Sequence, residues 1–182
     1  MRESDLRKRL NKYLSKWFTV TEEVTSDDRK SRIDLIITHN TDISHAYPIG
    51  IEIKLAEKKR GKDLANWLKQ AIRYTKCKFG KFGKVMVVTA PQITGMYMDE
   101  GDKVSKHPYM RDNGGCHNNV NTFLGGFNIG ELQKYNYIAR GTQWDKNKTG
   151  TYYRIVFKGS KIWDSVDDTF RSDNMERLWR AK

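Results

Sequence analysis

Apolar residues recur at three-, four- and seven-residue spacings across residues 4 to 17. Leu6, Leu10, Tyr13, Leu14 and Trp17 fall on one stripe, which predicts an amphipathic helix with Ser4 as its candidate cap. Residues 18 to 25 are β-branched and partly alternating, as expected of a strand, and a polar turn over 26 to 31 follows. Residues 32 to 38 (Arg-Ile-Asp-Leu-Ile-Ile-Thr) predict a buried strand, 39 to 48 a turn, and 49 to 55 a third strand that alternates strictly from Ile51. The clearest helical period spans 62 to 79. There Leu64, Trp67, Leu68, Ala71, Ile72 and Thr75 form an apolar stripe, Lys62, Lys69, Arg73 and Lys76 lie opposite, and Gly80 and Gly83 mark the end. A fourth strand, 84 to 90, is closed by Pro91. The order α-β-β-β-α-β predicts an α/β sandwich.

Beyond Pro91 the pattern loosens. Residues 95 to 130 are rich in Gly, Asn, Met and His, residues 135 to 143 and 151 to 158 predict a hairpin around 145 to 150, and residues 163 to 181 read as a short charged helix. The expected organisation is a core over 1–91 and a β-rich extension over 92–182 packed on it, since no linker separates them.

Composition narrows the class. Five Trp, nine Tyr and seven Phe supply bulk for a core despite a hydrophobic content of 37%. No run approaches the ~20 apolar residues of a membrane helix. Residues 1 to 5 contain no apolar signal region, so the expectation is a soluble, cytoplasmic protein with no membrane partner. Two cysteines, Cys77 and Cys116, cannot build a disulfide framework. The formal charge is +12, from 34 Lys and Arg against 22 Asp and Glu. An excess of that size costs self-repulsion and points to a polyanionic partner, nucleic acid above all.

Two acids stand where acids are costly. Asp34 and Glu52 interrupt apolar strands, and an unpaired buried charge costs several kcal/mol. Residues two apart in a strand share a face, so Glu52 and Lys54 point one way while Ile51, Ile53 and Leu55 point the other. If the strands of Asp34 and Glu52 are neighbours, two carboxylates and an ammonium converge. Such a pair suits a hard divalent ion, and the lysine suits developing negative charge. On the following helix Gln70 and Tyr74 stand one turn apart at the edge of the apolar stripe, able to face the same point.

Asp34 in Arg32-Ile33-Asp34-Leu35, the Glu52-x-Lys54 triplet and Gln70-x-x-x-Tyr74 together resemble the PD-(D/E)xK nuclease superfamily, the last element its RecB-like branch. The resemblance spans about residues 3 to 90. It implies an αβββαβ restriction-endonuclease-like core and a Mg²⁺-dependent deoxyribonuclease, with Mn²⁺ as the substitute ion. Asp34 and Glu52 would be metal ligands, Lys54 the catalytic lysine, and Gln70 and Tyr74 contacts to the metal's water or the DNA backbone. A further acid from the first helix is expected of the family; Glu3 is the first candidate, with Glu22 and Glu23 behind it. Ser31 stands where RecB-like members carry glycine. Short nucleases of this kind belong to bacterial or phage-infected cells, and a homodimer is compatible with the sequence.

Lys58, Lys59 and Arg60, just past the Glu52 strand, are candidates for gripping phosphate, though a solvated turn explains them equally. Cys77, His107, Cys116 and His117 lack the paired spacing of a zinc site. Trp144, Tyr152, Tyr153 and Trp163 could stack on bases, but aromatics at strand spacing are mostly core. Two rivals to a nuclease stand open: a non-cleaving nucleic-acid-binding protein on the same fold, and a basic protein that binds an acidic protein partner.

Overall fold

The computed structural model describes residues 3–40, 47–54, 61–90, 124–138, 149–158, 160–166, 168 and 170–171. These form α1 (Glu3–Leu14), β1 (Phe18–Thr25), β2 (Arg32–His39), β3 (Ile49–Ile53), α2 (Gly61–Tyr74), β4 (Met86–Ala90), β5 (Ile129–Ile138), β6 (Thr149–Phe157) and β7 (Ser160–Asp164). The seven strands build one mixed sheet in chain order, β1 through β7. The chain is therefore mixed α/β with few helices. Among the described residues no helix is long and apolar enough to cross a membrane.

The sheet is antiparallel at its two sides and parallel at its centre. β1, β2 and β3 pair antiparallel. β3, β4 and β5 run parallel, and β5, β6 and β7 return to antiparallel pairing. Parallel neighbours need a crossover, and α2 lies in the one from β3 to β4. Both strands of that central pair are buried at all five positions, as expected when a parallel sheet is covered on both faces.

Each face has its own core. On one, Leu10 and Leu14 of α1 pack with Phe18, Leu35, Ile37, Ile49, Ile51, Ile53 and Val88, and the cluster continues to Phe157, Ile162 and Trp163. On the other, Trp67, Ala71 and Tyr74 of α2 pack with Ile33, Ile36, Val85, Val87 and Ile129. A fully buried Leu, Ile or Phe contributes about 1.5–3 kcal/mol, so these two layers dominate the fold's stability. The strand end beyond β7 is fastened over the first face. Trp163 Nε1 donates to Asp168 Oδ1 at 3.1 Å, and the Phe170 ring stacks on His39 at 4.9 Å.

The predicted elements up to residue 90 are present, with shifted ends. α1 begins at Glu3, so Ser4 lies inside the first turn and is not the cap. α2 stops at Tyr74, because the chain turns to bury Phe79 completely. Gly80 and Gly83, at φ 51° and 61°, shape a short 3-10 turn after it. The hairpin of the second half is real but starts at Ile129, and its strands add to the same sheet. The charged helix expected from residue 163 does not start there. Ile162 and Trp163 are fully buried in β7, since their apolar surface gains more by closing the sheet than by forming an exposed helix. Residues 172–181 of that segment lie outside the described residues, as do 95–123.

Gly130 shows how tightly β5 is packed. A Cβ there would sit 2.5 Å from the carbonyl oxygen of Val156 and 2.8 Å from Phe157 Cδ2. The first neighbour is backbone and cannot swing aside. Gly130→Ala should therefore destabilise the protein by about 1–3 kcal/mol, read as a lower urea midpoint at unchanged slope. An unchanged midpoint would mean that the β5–β6 seam is looser than described.

Candidate active site

β2 and β3 run in register from Ile37–Ile49 to Leu35–Ile51, and their pairing ends there. The next residue on β2 is Asp34. Its Oδ2 accepts the Ile53 backbone N–H at 2.7 Å, so a side-chain carboxylate takes over where the backbone ladder stops. That bond pins Asp34 to the last turn of β3. The preceding loop achieves its geometry without glycine at Ser31: the Ser31 N–H donates to Ser26 Oγ at 3.0 Å, and Ser26 N–H to the Ser31 carbonyl at 2.8 Å.

Glu52 lies on the face that carries the α2 core. Gly50, two residues earlier, would aim a Cβ at Ile33 and Val85 of that core, and Glu52 shares its side. Its side chain is 1% exposed. Lys54 Nζ stands 3.1 Å from Glu52 Oε1 and 3.4 Å from Glu3 Oε1. The contact with Glu52 is a charge pairing rather than a directed bond, since Glu52 Oε1 is buried without a hydrogen-bond partner among the described residues.

The electrostatics follow from this crowding. Burial, then the neighbouring Asp34 charge, push Glu52 up to about 7, with Lys54 pulling the other way. Burial also raises Asp34, and the Ile53 N–H and Lys54 only partly offset it. Burial works against the Lys54 ammonium, but Glu52, Glu3 and Asp34 outweigh it and raise its pKa. Lys54 therefore remains a cation, while the two acids resist sharing one small volume as anions. A divalent ion would relieve that resistance.

Gln70 and Tyr74 face this region from α2. Gln70 Nε2 donates to the Tyr74 hydroxyl at 2.5 Å, and that hydroxyl donates to the Arg32 carbonyl at 2.6 Å. Burial, with the Glu52 and Asp34 charges adding to it, raises the Tyr74 pKa. Tyr74 is only 1% exposed and both of its hydrogen bonds are made inside the protein. Its placement is that of a strut tying α2 to β2, and Gln70 is the more open of the two. Glu3 lies in the first turn of α1, engaged by Lys54. Lys58, Lys59 and Arg60 lie outside the described residues, as do His107, Cys116, His117 and Trp144. Trp163 is core.

Two features carry no sequence expectation. Arg7 Nη1 reaches Glu23 Oε1 at 2.6 Å and Asp34 Oδ1 at 3.8 Å. Helical spacing puts Arg7 one turn beyond Glu3, but nothing in that spacing names its partners. The second is a row of buried polar residues running from Glu52 to Thr89 and on to Glu131 across β3, β4 and β5. Glu131 interrupts the buried stretch Ile129–Leu132 much as Asp34 interrupts β2, and that interruption was the available signal.

Among the described residues no group of three or more His, Cys, Asp or Glu stands close enough to hold a metal ion. Asp34 and Glu52 are the two acids beside Lys54, and Glu3 is held by Lys54 at 3.4 Å. Comparison with protein-family models, curated proteins and solved structures finds no match for this chain.

The Glu52 shift makes stability depend on pH. The folded protein holds this proton up to about 7 and the unfolded chain only to an ordinary 4.5. Without divalent metal, its contribution is complete below pH 4.5 and is lost as the pH rises through 7. The loss amounts to about 3 kcal/mol at most. Urea unfolding in EDTA should therefore show wild type weaker at pH 8 than at pH 5.5. Glu52→Gln should flatten that slope and exceed wild type at pH 8. A wild-type stability that rises over this range would contradict the buried, crowded carboxylate.

Proposed function

We propose that this chain is a Mg²⁺-dependent nuclease that hydrolyses phosphodiester bonds in DNA, built on a restriction-endonuclease-like core of the RecB-like kind. The observation that carries the reading is the meeting of Asp34, Glu52 and Lys54 at one end of β3, with the Glu52 carboxylate fully buried and paired with Lys54 at 3.1 Å. A purely structural ion pair needs one acid for one lysine. Here two acids with raised pKa values lie together, an arrangement that weakens the fold unless it serves chemistry.

In this reading Asp34 and Glu52 would hold the divalent ion. When bound, Mg²⁺ supplies positive charge beside the phosphodiester and a more acidic water. Lys54 keeps its proton and stabilises the negative charge that develops on the phosphate in the transition state. The Ile53 N–H fixes Asp34, so the acid pair does not spread apart. The Gln70 amide, held by Tyr74, would orient a water or a phosphate oxygen. The charge of +12 draws the polyanion to the surface.

The test is cleavage of linear, circular, single-stranded and branched DNA with Mg²⁺, Mn²⁺, Ca²⁺ or EDTA. Mg²⁺ and Mn²⁺ should support cutting, and EDTA should abolish it. Ca²⁺ should preserve binding while suppressing turnover. Asp34→Ala and Lys54→Ala should each lower the rate by at least about 100-fold while DNA binding stays within a few-fold. Wild-type DNA binding without any cutting would favour the non-cleaving protein instead. Loss of all salt-sensitive DNA binding would favour a protein partner.

Gln70 separates the RecB-like reading from a generic one. Gln70→Ala removes one half-buried hydrogen bond, worth about 1 kcal/mol to stability. Turnover should nevertheless fall by about tenfold or more, as for other groups that orient the reacting water. Equal turnover in the variant would remove the RecB-like refinement and leave Asp34, Glu52 and Lys54 as the working set.

A further inference from the structure

Asp34 has two carboxylate oxygens with different neighbours. Oδ2 is committed to the Ile53 N–H, whereas Oδ1 faces the Arg7 guanidinium at 3.8 Å. Arg7 is held in turn by β1. Its Nη1 lies 2.6 Å from Glu23 Oε1 and its Nε 3.6 Å from Glu22 Oε2. Nε itself is buried and has no hydrogen-bond partner among the described residues. The guanidinium is therefore held by one hydrogen bond, to Glu23, and otherwise by charge, with fewer bonds than its five N–H donors could make.

The backbone around this cluster is unusual. In the β1–β2 register Glu22 faces Leu35 and Val24 faces Ile33, so Glu23 stands opposite Asp34. Glu23 has φ 53°, a left-handed conformation that a non-glycine residue adopts only when its surroundings enforce it. The carboxylates of Glu23 and Asp34 thus flank one guanidinium. On the other side of the site Lys54 stands between Glu52 and Glu3 in the same manner.

We propose that Arg7 is a positioning residue that occupies the Asp34 side of the acid pair in the metal-free protein and gives it up to Glu23 when a divalent cation binds. The inference rests on the nuclease reading above and names the group that sets its metal affinity. Arg7 and the ion compete for Asp34 Oδ1, and Glu23 is the holder that lets Arg7 withdraw. Removing the guanidinium must then strengthen metal binding. Removing the Glu23 charge must weaken it, because Arg7 then keeps only Glu22 at 3.6 Å and Asp34 at 3.8 Å and leans more on Asp34. A residue that merely supports the fold would, when lost, weaken binding in both cases.

Mn²⁺ titration of the full chain, followed by the electron paramagnetic resonance of the free ion, tests this. Arg7→Met should bind Mn²⁺ about tenfold more tightly than wild type, as expected for removal of a like charge beside the ion. Glu23→Gln should bind it several-fold more weakly, and Arg7→Lys, which keeps the charge, should stay close to wild type. In EDTA the Arg7→Met protein should melt below wild type, and Mn²⁺ should close that gap. Equal or weaker binding by Arg7→Met, or a shift of the same sign in Arg7→Met and Glu23→Gln, overturns the inference. If wild type binds Mn²⁺, loses it in Glu52→Gln and is unchanged in Arg7→Met, the nuclease reading survives and the Arg7 role alone falls. If wild type binds no Mn²⁺, both fall.

Discussion

Holding the Glu52 carboxylate inside a parallel sheet is the constraint around which the other parts are arranged. Its side chain is 1% exposed and one of its oxygens has no hydrogen-bond partner among the described residues. Isolated charges in such places cost several kcal/mol or are neutralised. Lys54, two residues on and on the same face, supplies the countercharge from the same strand. Asp34 then adds a second negative charge, which together with the larger effect of burial moves Glu52 up to about 7, and the Ile53 N–H anchors Asp34 there. None of these groups could be rearranged alone without leaving another buried charge unmatched.

The topology delivers the cluster. A right-angled approach is not needed, because β2 runs antiparallel to β3 and its early residues meet the late residues of β3. α2 returns the chain so that β4 lies parallel beside β3, which leaves the carboxyl ends of both strands at one edge, the customary place for a site in an α/β sheet. α1 crosses the opposite face, yet its first two turns reach the same edge with Glu3 and Arg7. α1, β2 and the end of β3 thus bring their charged groups together: Glu3 and Arg7, Asp34, and Glu52 with Lys54.

How much of this could be read from the sequence differs by residue. Asp34, Glu52 and Lys54 were legible because an acid inside an apolar strand is a local anomaly, visible in a window of seven. The stripe of α2 was legible because Trp67 and Ala71 recur with the helical period, and both are indeed buried. Arg7 was not, since a charged residue on a helix carries no sign of its partner. Its place depends on Glu23 adopting φ 53°, for which no glycine or asparagine gives notice. The start of β5 was hidden by Gly130 and Glu131, which break the apolar run, the first for close packing against Val156 and Phe157 and the second as a charged residue buried in the sheet. β7 was hidden by its shortness: two fully buried residues, Ile162 and Trp163, among charged ones read as a helix until the partner strand is known.

The distribution of charge joins the two scales of the molecule. The chain as a whole carries +12, so a polyanion meets an attractive field from a distance, one that salt attenuates within about 10 Å. Around the acid pair the balance reverses. Glu3, Glu22, Glu23, Asp34 and Glu52 are set against Lys54, Arg7 and Arg32, a local excess of acids in a basic protein. Neither charge pattern alone suits phosphodiester chemistry: a uniformly basic surface would hold a nucleic acid with nothing to anchor a divalent ion, and an acidic cleft in a neutral protein would repel the phosphate. In the proposed reading the local acids would hold a cation and the overall charge would draw the anion to it; the raised pKa values of Asp34 and Glu52 follow from burial together with the crowding of like charge.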